Sequence, residues 1–80
     1  MEIKTLIVGP IQENCYIASD PQSQEAVVID PGDEADLIIE YIQEKKLHVN
    51  YILLTHGHHD HIGAVAEVKA ATNALVAIHA

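Results

Sequence analysis

The stretch Thr55-His56-Gly57-His58-His59-Asp60-His61 restricts this chain more than any other. It concentrates four of the six histidines in seven residues, beside a carboxylate. Ahead of it runs Tyr51-Ile52-Leu53-Leu54, apolar throughout, and a pattern of helical period begins after it at Ile62. A loop so dense in metal-ligating side chains, hung between a strand and a helix, needs a fold that holds both of its ends.

The rest of the chain reads as such a frame. Ile3 to Val8 has strand character and is ended by Gly9-Pro10, and Asn14 to Ala18 alternates as a second strand. Ser19 to Ser23 is a polar turn, and Ala26 to Ile29 is a third strand, apolar throughout and therefore expected to be buried on both faces. Short links between these three predict an antiparallel meander. Asp30-Pro31-Gly32-Asp33 breaks the third strand, because proline fixes φ and glycine supplies a turn conformation.

A helix is expected from Glu34 to Lys46, with Glu34 and Asp36 in its first turn and Lys45 and Lys46 in its last, matching the helix dipole. Ala35, Ile38, Ile39 and Ile42 form its apolar stripe, widened by Leu37 and Tyr41. His48 to Leu54 is a fourth strand. Ile62 to Thr72 is a second helix, with Ala64, Val65, Val68 and Ala71 or Thr72 inward and Asn73 as its stop. Ala74 to His79 is a fifth strand. Alternation of strand and helix from Ala26 onward implies parallel, right-handed crossovers. The fold class is α/β, of mixed-sheet α+β character, with about five strands and two helices.

Twelve acidic residues against four lysines, with no arginine, give a formal charge of −8, which argues against a nucleic-acid partner. No apolar run approaches the length of a membrane span, no signal peptide is visible, and the single Cys15 has no internal disulfide partner. A cytoplasmic location is expected from these features. Cys15 is expected in the core rather than as ligand or nucleophile. The chain stops at Ala80, directly after an apolar strand, which predicts further chain or another copy beside it.

The loop has a definite chemistry. His56 and His58, at positions i and i+2 around a permissive Gly57, can direct two imidazoles at one cation. Asp60 and His61 are adjacent, so their side chains diverge and can serve a second cation nearby. Nitrogen donors with one carboxylate suit Zn, Fe or Mn, with Zn2+ as the default. A pair of such ions would activate water and polarise a substrate oxygen, and Asp60 could ligate and also orient the nucleophile or take its proton. The competing reading is a merely solvated polar loop. His59 is assigned to the pocket wall rather than to a metal, and His48 and His79 are taken as structural or exposed. Asp30 is either a turn carboxylate or a partner that hydrogen-bonds a ligand histidine.

The loop resembles the T-H-x-H-x-D-H signature of the metallo-β-lactamase superfamily. Asn14-Cys15-Tyr16 on an early strand, then Ala26-Val27-Val28-Ile29-Asp30-Pro31-Gly32, a helix and the loop, is similar to hydroxyacylglutathione hydrolase (glyoxalase II)-like members. The resemblance covers essentially all 80 residues. It implies an αββα sandwich of two similar halves with a dinuclear metal site at one edge. His56 and His58 would bind the first metal, Asp60 and His61 the second, and Asp60 would assist the attacking hydroxide. Two zinc ions would fill a complete site, with iron or manganese as substitutes.

Family members are typically more than twice this length, and their remaining ligands come from a second half. Residues 1–80 are therefore expected to be the N-terminal half of such a domain. The parent reaction would be hydrolysis of a small thioester or ester. Two other readings compete with this enzyme fragment. One is a self-assembling metal-binding homodimer without efficient catalysis, in which a second copy replaces the missing half. The other is a structural domain with an idle motif.

Overall fold

The computed structural model describes residues 1–8, 13–32, 34–54 and 62–78. Its elements run β1 (Glu2–Val8), β2 (Glu13–Ser19), β3 (Glu25–Ile29), α1 (Ala35–Glu44), β4 (His48–Leu54), α2 (Ile62–Thr72) and β5 (Leu75–Ile78). The strands lie side by side in chain order as one five-stranded sheet. The first two pairings are antiparallel and the last two parallel. This is the mixed α/β architecture expected, and β4 and α2 begin and end where the sequence places them.

Strand alternation divides the sheet into two unlike faces. Cys15 and Ile17 of β2, Ala26 and Val28 of β3, and Val49 and Ile52 of β4 turn to one face and are buried. There they meet Ala35, Ile38 and Ile42 of α1 and Val68 of α2 in a single core. Both helices therefore cover the same side. The opposite face carries Ile3, Ile7, Tyr51, Leu53 and Leu75, all exposed, with Leu75 at 63%. Val27 and Ile29 on that face are only half-buried. The expectation that β3 is buried on both faces is thus corrected, because the layer of helices lies on one side only. A contiguous apolar face of this kind marks a surface built to be covered.

Each helix is held by local chemistry. Asp36 stands in the first turn of α1. The amides of Lys45, Lys46 and Leu47 donate to the carbonyls of Tyr41, Gln43 and Ile42 at 3.0, 3.1 and 3.0 Å, satisfying the last turn. The helix ends at Glu44, so Lys45 and Lys46 lie beyond it and no basic residue occupies its last turn. This corrects the longer expected helix. Lys46 takes a left-handed conformation at φ 56° and turns the chain off the helix. Leu37 is 47% exposed and does not belong to the apolar stripe, whereas Tyr41 is half-buried and receives the Lys4 ammonium 5.9 Å from its ring centroid.

Asn73 ends α2 as expected. At φ 58° it donates its amide to the Lys69 carbonyl at 2.7 Å, a conformation asparagine tolerates better than most residues. Thr72 is the inward residue of the Ala71–Thr72 pair. Its hydroxyl donates to the Val68 carbonyl at 2.8 Å and accepts from the Ala74 amide at 3.3 Å, joining the helix to β5.

Candidate metal centre

Pairing register brings several chain ends to one edge of the sheet. Val8 pairs with Glu13, Tyr16 with Ile29, Ile29 with Leu53, and Leu54 with Ile78. The C-terminal ends of β1, β3, β4 and β5 and the start of β2 therefore share this edge. In an open sheet with parallel strands, the carboxyl ends of those strands are where loops converge into ligand sites. Here β4 gives way to the histidine-rich stretch, and α2 takes the chain up again at Ile62.

His56, His58, Asp60 and His61 lie outside the described residues, and so do His59 and His79. The structure places the two ends of the loop rather than its side chains. The upstream end is Leu54, paired with Ile78 of β5, and Leu53 before it is paired on either side by Ile29 of β3 and Ala77 of β5. Downstream, α2 is anchored by fully buried Val68. Among the described residues, no group of three or more histidine, cysteine, aspartate or glutamate side chains could hold a metal ion. The fit of a metal to this chain therefore rests on the donor set from His56 to His61 and on its position at the sheet edge.

His48 is exposed at the start of β4, six residues before Leu54. At the rise of a strand it stands about 20 Å from Leu54, at the opposite end of β4. Cys15 is fully buried in the core, as expected. Its thiol is pushed up to about 12, chiefly by burial and secondarily by the negative charge of Asp30. Its place among the buried side chains of the sheet and helices makes it a core residue.

Asp30 follows the last residue of β3 with its backbone in the left-handed region at φ 54°. Its amide donates to the Leu53 carbonyl at 2.9 Å, two residues before Thr55. This tie was not anticipated from the sequence, although an aspartate ahead of Pro-Gly at a strand end hints at it. A contact of Asp30 with a ligand histidine falls on residues outside those described. Among the described residues, no helix is long and apolar enough to cross a membrane.

Comparison with known proteins adds an independent line. A family model described as the metallo-beta-lactamase superfamily matches residues 8–80. The protein named hydroxyacylglutathione hydrolase GloC from Haemophilus influenzae is 42% identical over 69 residues, covering 86% of this chain and 32% of that protein. The crystal structure of the BLEG-1 B3 metallo-beta-lactamase superposes with a TM-score of 0.86 at 40% identity, over 94% of this chain and 35% of that one. A structure of TTHA1623 in a di-iron-bound form superposes with a TM-score of 0.75, also at 40% identity, over 91% of this chain and 36% of that one. The chain spans about a third of the length of the curated relatives it matches.

Proposed function

This chain belongs to the metallo-beta-lactamase superfamily, and on that basis we propose that it carries one side of the metal site of a hydrolase cleaving small hydroxyacyl thioesters. The observation that carries the proposal is the His56-to-His61 donor set, seated where β4 hands the chain to α2 at the edge shared by the strand ends. The similarity to a hydroxyacylglutathione hydrolase supports the thioester class of substrate.

In this proposal His56 and His58 hold one metal, and Asp60 and His61 hold the second. Zinc suits the nitrogen-rich set, and the di-iron form of a similar protein supports iron as a substitute. Bound divalent metals supply Lewis acidity and bring the ionisation of water towards neutral pH. The Asp60 carboxylate orients the attacking water and accepts its proton. The buried Cys15 thiol takes no part, so the reaction proceeds without a covalent cysteinyl intermediate. These four residues fall short of the roughly three protein ligands that each catalytic zinc needs. The proposal therefore includes further ligands from additional chain, with residues 1–80 as the N-terminal half of the domain. That additional chain would also cover the bare sheet face.

The test is hydrolysis of a hydroxyacylglutathione by the full-length, metal-loaded protein and by its Asp60→Asn variant. The expected result is turnover by the wild type and a loss of kcat of roughly 100-fold or more in the variant. Absence of turnover in the metal-loaded wild type, or an unimpaired variant, overturns the assignment.

The bare apolar face favours a second reading, in which two copies associate through it and pool their donors without efficient catalysis. Sedimentation of the 80-residue chain separates the two. A monomer at high concentration contradicts the homodimer, and a tight dimer with bound metal supports it.

A further inference from the structure

The two edges of the sheet are unlike. β5 is four residues long, whereas β1 runs for seven and pairs with β2 through consecutive partners without a break. β1 stands outermost in the strand order, so among the described residues no strand takes up the amides and carbonyls of its outer side. Proteins commonly blunt such an edge with proline, a bulge, a very short strand or a lysine thrust into it. β1 has no proline and no bulge, and its one lysine is drawn aside. The Lys4 ammonium lies over the Tyr41 ring of α1, 5.9 Å from the centroid. A long, regular, open edge is the form that accepts another strand.

The sequence of β1 matches one such strand, its own. Alternation puts Glu2, Lys4 and Leu6 on the helix side with Cys15 and Ile17, and Ile3, Thr5 and Ile7 on the bare face. The helix layer stops short of this edge, because Glu2 and Lys4 are exposed and Leu6 is only half-buried. A second β1, antiparallel and related by a two-fold axis, therefore approaches without meeting a helix. Among the registers that keep both bare faces on one side, only one matches charges. Centred on Lys4, the pairing sets like charges against each other and is opposed. Centred on Thr5 or Leu6, it sets Lys4 against Leu6 or Val8. Centred on Ile3, it sets Glu2 of each copy opposite the partner's Lys4, giving two opposite-charge pairs about the axis.

The rest of the sheet continues that register. Ile3 pairs with Ala18, Ala18 with Val27, Val27 with Tyr51 and Tyr51 with Leu75, one row across the bare face. Joining two copies at Ile3 runs this row unbroken through both five-stranded sheets and covers part of a side chain that is 68% exposed. Glu2 and Ile3 lie at the end of β1 away from Val8, so the contact leaves the edge of the candidate metal centre open.

We propose that β1 is a self-recognition edge, through which two copies of this protein pair antiparallel with Ile3 on the two-fold axis and Glu2 of each opposite the partner's Lys4. The contact differs from association through the bare face and is independent of metal binding. It is isologous and closes on itself, so it makes a dimer rather than a filament.

Sedimentation equilibrium at neutral pH and low salt compares the wild type with Glu2→Lys, Lys4→Glu and the double exchange. The wild type is expected to dimerise, either single reversal to weaken the dimer roughly tenfold or more, and the double exchange to return to within about threefold of wild type. Leu75→Lys, on the opposite edge strand, is expected to leave this dimer intact. Oxidation then reads the register. Ile3→Cys, on the axis, is expected to cross-link two copies, and Thr5→Cys, opposite Met1, is expected not to. A wild type still monomeric at about 1 mM overturns the proposal, as does a double exchange no tighter than the single reversals. Loss of the dimer in Leu75→Lys assigns self-association to the bare face and overturns the edge contact. Cross-linking of Thr5→Cys in place of Ile3→Cys overturns the register.

Discussion

Alkaline pH should weaken this protein through one residue, Cys15. Its thiol lies fully buried between the sheet and the helices and is raised from the ordinary value of 9.0 to about 12, by burial first and by the charge of Asp30 second. A group whose pKa is higher in the folded state binds its proton more tightly there. Its contribution to stability is complete below the unfolded value and is lost as pH rises from 9 towards 12. At a shift of this size, raising the pH from 8 to 10.5 costs about 2 kcal/mol, since each pH unit inside the window is worth about 1.4 kcal/mol. The assay is urea unfolding of wild type and Cys15→Ala at the two pH values. Everything the two proteins share cancels in the difference. The variant, already weakened by lost packing, should lose about 2 kcal/mol less than the wild type over this interval. Alkylation of the native thiol at pH 8 should be slower than that of the urea-unfolded thiol by roughly 1000-fold, the ratio of thiolate fractions. Equal pH dependence in the two proteins, or a native thiol as reactive as the unfolded one, would rule out this role for Cys15.

Other outcomes are set by packing and backbone. Ile38→Ala removes a fully buried side chain at the centre of the core and should destabilise by about 2–5 kcal/mol, whereas Leu37→Ala, on the exposed side of the same helix, should change stability by no more than about 0.5 kcal/mol in thermal unfolding. Lys46→Gly relieves a left-handed residue and should stabilise by about 1 kcal/mol, with Lys46→Val moving the denaturation midpoint the other way. Leu75→Lys on the bare face should abolish any self-association of the 80-residue chain through that face seen by sedimentation, without unfolding it.

Much of the frame was legible because local signals agreed with one another. The apolar run to Leu54 and the helical period from Ile62 located β4 and α2, and Asn73 acted as the stop its residue type suggests. Two kinds of feature escaped. The half-exposure of Val27 and Ile29 depends on how many layers cover the sheet, which an apolar run does not encode. Likewise, Leu37 is as apolar as Ile38, and only the direction of the helix axis over the sheet decides which of them is buried. An offset at Asn50, where Val27 pairs with Tyr51 after Ala26 pairs with Val49, is a property of pairing between β3 and β4, so neither strand read alone reveals it. For the site, the donor set was legible from residue type and spacing, while the Asp30 tie to Leu53 required the register of two strands.

Metal content decides whether His56, His58, Asp60 and His61 form one side of a metal site. The measurement is elemental analysis of the protein and of its His58→Ala and His61→Ala variants, each purified without chelators at neutral pH, because metal binding needs unprotonated imidazoles. About two divalent ions per wild-type chain are expected, with each variant losing at least one while retaining its fold. Wild-type protein that stays metal-free after reconstitution, or variants that keep the full complement, would contradict the assignment.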